Sequence, residues 1–256
     1  SFPMYDIYTT AMRARMVKTP LTRFLGLDLD AMAAAVTART KLIYVCNPNN
    51  PTGTVAEAPA LESFLSAIPE RVLVILDEAY AEMVDCPQFP DSLRYVREGR
   101  PNVVVLRTFS KVYGLAGIRI GYAFAPTEIV ATLMKIKPPF NVNILAQAAA
   151  VAALQDTAFV RRSIAENRTA RQTLYRALDR LGLEYAESHT NFVLVRIGPQ
   201  AMDVQQSLLR QGIIVRPCTG YDLPEFLRVS LGTAAENARF VRALEEVLTQ
   251  QGPTLD

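Results

Sequence analysis

Arg71-Val72-Leu73-Val74-Ile75-Leu76-Asp77-Glu78-Ala79-Tyr80 is the stretch that decides the fold. Residues 72–76 form a short continuous apolar run, the pattern of a strand buried on both faces of a parallel sheet. Ligands of open α/β sheets bind beyond the carboxyl ends of such strands, which is where Asp77 and Tyr80 fall. An aspartate in that place can equally cap the next helix. The choice between the two depends on what the neighbouring strands carry at their own ends.

Two further segments end in the same manner. Val103-Val104-Val105-Leu106 leads into Thr108-Phe109-Ser110-Lys111, and Arg119 follows eight residues later in Gly117-Ile118-Arg119-Ile120-Gly121. An amine attacks an aldehyde only when unprotonated, so a lysine with an ordinary pKa of roughly 10.4 needs partial desolvation or a nearby cation. Thr108 and Ser110, two apart on extended chain, are expected to point to one side. The planar guanidinium of Arg119 can give a phosphate two parallel charge-assisted hydrogen bonds. In Tyr44-Val45-Cys46-Asn47-Pro48-Asn49-Asn50-Pro51-Thr52-Gly53 two prolines and a glycine fix the backbone, so Asn50 is presented with little freedom left to lose. A plain turn would explain that composition as well.

Taken together, an amine, a carboxylate and a phosphate-binding arginine at converging strand ends are what pyridoxal phosphate demands. Lys111 would form an imine with its aldehyde. Asp77 would pair with the protonated ring nitrogen, and at about 4 Å and an effective dielectric near 20 that pair is worth roughly 4 kcal/mol. Such a pair keeps the ring charged, which makes it an electron sink.

The motifs Asn-Pro-Asn-Asn-Pro-Thr-Gly (47–53), Asp-Glu-Ala-Tyr (77–80) and Thr-Phe-Ser-Lys-Val-Tyr-Gly-Leu-Ala-Gly-Ile-Arg-Ile-Gly (108–121), in this order and spacing, resemble the fold-type I, aspartate-aminotransferase-like pyridoxal phosphate enzymes. Within them the chain is most similar to the histidinol-phosphate aminotransferases. The likeness extends to Ser1-Phe2-Pro3-Met4-Tyr5, residues 137–143, Thr190-Asn191-Phe192-Val193-Leu194-Val195 and Phe226-Leu227-Arg228-Val229-Ser230-Leu231-Gly232. The resemblance makes Lys111 the Schiff-base lysine and proton shuttle, and Asp77 the ring-nitrogen partner. It puts Tyr80 and Asn50 on the phenolic oxygen, makes Thr108, Ser110 and Arg119 phosphate ligands, and makes Phe2 the aromatic stacked on the ring. Arg228 becomes the arginine for the substrate carboxylate and Arg216 a second anion contact, although either arginine could be an ordinary surface group.

The implied reaction is transamination between an amino donor and 2-oxoglutarate in a cytoplasmic homodimer of histidine biosynthesis. The resemblance also implies a segment ahead of Ser1 with a substrate-covering arm, a glycine-containing helix start that cradles the phosphate, and a tyrosine lent by the partner subunit. On that reading the chain is a fragment or a processed piece. Three alternatives remain open: an aromatic or other amino-acid aminotransferase, a decarboxylase on the same fold, and a noncatalytic sensor domain.

Composition narrows the class further. The chain has 256 residues, half of them apolar, and a net charge of +2, too small and too evenly spread for nucleic acid. No apolar run reaches membrane-spanning length, and the alanine-rich stretch 143–154 reads as a packed helix. Cys46, Cys86 and Cys218 have neither metal nor disulfide spacing, which points to a reducing cytoplasm. His189 is the single histidine and is read as a loop residue; no metal site is expected.

Helix and strand alternate along the chain: helices over Leu29–Ala38 and Glu57–Ile68, strands over Lys41–Cys46, Val72–Leu76, Val103–Leu106 and Ile118–Phe124. The expectation is an α/β fold, a three-layer α/β/α unit with a mostly parallel sheet, incomplete at its N-terminus, followed by a smaller α+β C-terminal domain. A helix from Thr127 should stop at Pro138-Pro139, and a long one capped by Asp156 should run to Gly182. The boundaries are 1–155 for the cofactor-binding domain, 156–182 for a connecting helix and 183–256 for the small domain. In the latter, strands are expected at Phe192–Ile197, Ile213–Arg216 and Phe226–Leu231, a helix at Met202–Gln211, and a final helix opened by the capping box Thr233-Ala234-Ala235-Glu236.

Overall fold

The computed structural model describes residues 1–251. Its first part runs α1 (Met4–Ala11), α2 (Leu29–Ala34), β1 (Leu42–Cys46), α3 (Ala58–Ala67), β2 (Leu73–Asp77), α4 (Leu93–Arg97), β3 (Val103–Thr108) and β4 (Gly121–Phe124). The strands form one sheet in the order β1-β2-β3-β4, the first three parallel and β4 antiparallel to β3. Then come α5 (Thr127–Ile136), α6 (Ile144–Gln155) and the 24-residue α7 (Thr157–Arg180). A second, antiparallel sheet follows, ordered β5 (Phe192–Arg196), β7 (Phe226–Ser230), β6 (Arg216–Pro217), with α8 (Ala201–Arg210) and α9 (Ala234–Gln251) beside it.

Strand alternation assigns the two faces of the first sheet. Val45, Val74, Leu76, Val103 and Val105 point into a core closed by Leu29, Leu61, Phe64, Leu65 and Tyr95 from α2, α3 and α4. Residues one step away, Tyr44, Cys46, Ile75 and Asp77, therefore face the other side. There Tyr5 of α1 stacks on Tyr44, ring centroids 4.2 Å apart and planes within 6°. The register pairs Cys46 with Asp77, so the sheet itself brings a buried thiol and a carboxylate side by side.

A separate core joins Leu174 and Leu178 of α7 to Val193 and Val195 of β5, Val204 and Leu208 of α8, Leu227 and Val229 of β7, and Phe240 and Leu244 of α9. Capping behaves as the sequence requires. Asp156 accepts from the Phe159 amide at 2.9 Å, Gly182 leaves α7 with φ +67°, and Thr233 and Glu236 exchange backbone-to-side-chain bonds at 2.7 and 3.3 Å.

Five local expectations need correction. The helix expected to Ala38 ends at Ala34, because Thr37 and Thr40 tie the backbone into a turn: the Thr37 amide bonds the Thr40 hydroxyl at 2.9 Å. The strand expected from Ile118 begins at Gly121, since residues 116–118 form a 3-10 turn and Arg119 adopts φ +60°, which no strand accommodates. Ser110 is not on extended chain: β3 stops at Thr108 and the Ser110 amide turns back onto the Thr108 hydroxyl at 3.0 Å. The strand expected over Ile213–Arg216 shrinks to Arg216–Pro217, with Ile214 84% exposed. Finally, α6 is not packed all round. It buries Ala146 and Ala150, while Ile144, Leu145, Val151 and Leu154 are exposed.

Candidate active site

The site begins with the three parallel strand ends. Asp77, last in β2, accepts from the Tyr5 hydroxyl on Oδ2 at 2.6 Å and from the Ala79 amide on Oδ1 at 3.3 Å. It caps no helix. Burial raises its pKa, and the Tyr5 and Ala79 hydrogen bonds and the charge of Lys111 oppose that rise without cancelling it.

Lys111, just beyond β3, has its ammonium 4.9 Å from the centre of the Tyr80 ring. Its pKa is lowered, first by burial and then by the positive charge of Arg228, against the pull of Asp77 and Cys46. This is the condition a nucleophilic lysine needs, and its two causes are desolvation and a neighbouring cation. Tyr80 is buried beside it, edge-on to Phe192 at 5.3 Å, and burial pushes its hydroxyl pKa up, so that it remains a donor at neutral pH.

The turn after β1 is braced from within. Asn47 exchanges two bonds with the backbone of Ala56 at 2.9 and 2.8 Å, and Asn49 Nδ2 donates to Thr52 Oγ1 at 2.9 Å. This holds Asn50, whose Oδ1 accepts from Arg228 of β7 at 2.5 Å. The carbonyl end of the Asn50 amide is thereby committed, and its NH2 end is left to donate. Arg228 also lies 4.8 Å over the Phe192 ring, and its Nε is a buried donor with no partner among the described residues. Cross-strand from Arg228 stands Arg216, exposed, the two being Cα partners in the β6–β7 register.

A family model for aminotransferase class I and II matches residues 1–244. The chain belongs to the class I and II aminotransferases. This family member is 48% identical over 248 residues to the histidinol-phosphate aminotransferase of Moorella thermoacetica, covering 97% of this chain and 64% of that protein. It is 52% identical over 251 residues to histidinol-phosphate aminotransferase 1 of Cupriavidus pinatubonensis, covering 97% and 66%. The chain thus spans just under two thirds of the length of these curated relatives. Among solved structures, the histidinol-phosphate aminotransferase of Sinorhizobium meliloti in complex with pyridoxal-5'-phosphate superposes with a TM-score of 0.92 at 32% identity, covering 98% of this chain and 69% of that one. The resemblance read from the motifs and the α/β fold class are both borne out.

Within this family member the expected residues are not all equally close. Asp77, Tyr80, Lys111, Asn50 and Arg228 meet through the contacts and charge interactions above. Thr108 ends β3 and accepts from the Ser110 amide at 3.0 Å, while Arg119, further along the connection to β4, is exposed and donates to the Ala116 carbonyl at 2.6 Å. Phe2 packs edge-on against Tyr5, centroids 5.7 Å apart.

Sequence reasoning missed three groups in this class I and II family member. Tyr5, on the first turn of α1, is the closest side-chain partner of Asp77, and no local pattern around residue 5 signals that contact. Glu78, fully buried next to Asp77, contacts Arg107 at 2.6 Å, and Arg107 also reaches Glu82 at 3.3 Å. His189 is more than a loop residue: with Arg168 and the buried Arg171 it converges on Asp85, His189 Nδ1 at 2.7 Å and Arg168 Nε at 3.1 Å. The His189 amide bonds the Gly53 carbonyl at 2.8 Å, which ties this cluster to the turn that carries Asn50.

Proposed function

We propose that the protein is a pyridoxal-phosphate-dependent histidinol-phosphate aminotransferase, exchanging an amino group between histidinol phosphate and 2-oxoglutarate in histidine biosynthesis, as a cytoplasmic homodimer. The observation that carries the reading is the facing pair Arg216 and Arg228. Neither takes part in any ion pair among the described residues. Like charges directly opposite on a sheet are unfavourable, so the pair makes physical sense when an anion lies against it. A phosphate monoester on the donor and the carboxylates of the keto acid both supply one, and Arg228 would serve both.

The donor set fits pyridoxal phosphate. Asp77 offers a carboxylate, Lys111 an amine of lowered basicity, and Asn50 and Tyr80 two hydrogen-bond donors. Bound there, the cofactor would supply an aldehyde that joins an amine and a ring that takes up the electron pair of a Cα–H bond. Asp77 would hold the proton on the ring nitrogen, while the Asn50 amide and the Tyr80 hydroxyl would donate to the phenolic oxygen. Thr108, Ser110 and Arg119 are assigned to the phosphate and Phe2 to the ring face. The Lys111 amine would take the proton from the substrate's alpha carbon and give it back as the amino group is transferred.

In this reading residues 1–155 bind the cofactor, 156–182 connect, and 183–256 form the small domain. The Arg228–Asn50 bond joins the two parts across 178 residues of sequence. The test is to compare kcat/KM for histidinol phosphate and phenylalanine as amino donors. The reading requires a clear preference for histidinol phosphate that Arg216→Ala removes. Equal or reversed rates identify an aromatic aminotransferase, and carbon dioxide released without pyridoxamine phosphate identifies a decarboxylase.

A further inference from the structure

We propose that Tyr5 is the positioning residue for Asp77: its hydroxyl, fixed by stacking on Tyr44, holds the Asp77 carboxylate ionised and aimed at the charged nitrogen of a pyridine ring. The inference rests on the reading of the site as one for pyridoxal phosphate, and it deepens that reading by adding a residue from outside the three strand-end motifs.

The geometry is set by the sheet. Tyr44 and Cys46 are two apart on β1 and so share a face, and Cys46 is in register with Asp77 of β2. A ring stacked on Tyr44 at 4.2 Å and 6° is therefore carried alongside Asp77, and the Tyr5 hydroxyl closes the remaining gap at 2.6 Å. Phe2 holds the other edge of the Tyr5 ring at 84°. The hydroxyl is in this way determined by one helix, two strands and two aromatic contacts, and it sits on Oδ2. Oδ1 receives the longer bond from the Ala79 amide at 3.3 Å. A carboxylate has about four lone-pair positions, so the less engaged oxygen is still able to accept from a ring nitrogen.

The chemistry explains why such a bond is needed. Asp77 faces Tyr5 of α1, Tyr44 and Cys46 of β1, the Ala79 amide, Tyr80, and Lys111 beyond β3. Of these, Lys111 is the single cation, and its own amine has lowered basicity. Burial drives Asp77 toward its neutral form, and a neutral carboxyl cannot balance a charged ring. A donated hydrogen bond favours the anion. Burial, the charges of Cys46 and Asp77 and the shared hydrogen bond keep the Tyr5 hydroxyl protonated far above neutral pH, so it acts as a donor.

The experiment uses Tyr5→Phe, which keeps the stacked ring and removes the hydroxyl, in the full chain, with Asp77→Ala and the double variant alongside. In cofactor-free protein the Asp77 carboxyl is followed by carbon-13 NMR against pH. Its midpoint should rise by about one pH unit or more in Tyr5→Phe, the size expected for a hydrogen bond to a charged group. Affinity for pyridoxal phosphate should fall about tenfold or more in Tyr5→Phe, yet the double variant should bind as Asp77→Ala does, because Tyr5 acts through Asp77. An unchanged Asp77 midpoint overturns the proposal, as does a tenfold loss that persists in the Asp77→Ala background, the result of a merely structural role. Wild-type protein that binds no pyridoxal phosphate sinks the reading of the site instead, while the Asp77 titration still decides whether Tyr5 controls that carboxyl.

Discussion

Arg216 and Arg228 stand directly opposite each other on β6 and β7, two guanidinium side chains in cross-strand register with no carboxylate paired to either among the described residues. A sheet that keeps such a pair gives up stability, and on the proposed reading an anion bound against it recovers that loss. Arg216→Gln should therefore stabilise the ligand-free protein by about 0.2–1 kcal/mol in chemical denaturation. The same change should lower kcat/KM for a phosphorylated donor about tenfold or more. A variant that loses stability and keeps its rate contradicts the anion-site assignment.

The lowered basicity of Lys111 gives a pH signature with a definite sign. A lysine whose folded pKa lies below its unfolded one is penalised wherever it is protonated in both states, and the penalty fades as pH rises through the folded value toward 10.5. Lys111→Met should therefore make cofactor-free protein more stable at pH 7. Its advantage should shrink as the pH is raised, and a constant difference from pH 6 to 10 would show that burial does not bear on this amine.

Asp85 draws Arg168, Arg171 and His189 onto one carboxylate. Burial raises its pKa, but the three basic partners outweigh that and hold it below the ordinary 3.8. The stabilisation is fully present above the ordinary value and is lost as pH falls through the depressed one. Asp85→Ala, which strands the buried Arg171, should cost about 3 kcal/mol at pH 7. The gap from wild type should narrow below pH ~4, as read by urea midpoints at several pH values.

Gly53 sits at the joint between the Asn50 turn and the loop around His189. Its φ is +79°, and a Cβ there would lie 2.2 Å from the Ser188 hydroxyl and 3.0 Å from the Ser188 Cα. Gly53→Ala should therefore destabilise by about 2 kcal/mol or more and weaken substrate binding through the displaced Asn50. Full activity in this variant would mean that the two loops separate without disturbing the site.

How much of this was legible beforehand follows from where the determining contacts lie. The strands ending in Cys46, Asp77 and Thr108 could be read because burial on both faces leaves an uninterrupted apolar run, and the caps at Asp156 and Thr233 because capping is local chemistry. The turn at Arg119 escaped because an arginine at positive φ has no signature in its own neighbours. The exposed apolar residues of α6 escaped because a periodic pattern reports which residues are apolar and not whether anything covers them. Tyr5 and His189 were missed for one reason. Their partners, Asp77 and Asp85, are 72 and 104 residues away, and spacing along a chain carries no trace of such a meeting.

The central claim is that the amine at 111 is the one that joins pyridoxal phosphate. Adding the cofactor, reducing with borohydride and mapping the labelled peptide tests it most directly. The account predicts a single label on Lys111, lost in Lys111→Ala and retained in Asp77→Ala. A label on any other lysine, or none in protein shown to bind the cofactor, contradicts it.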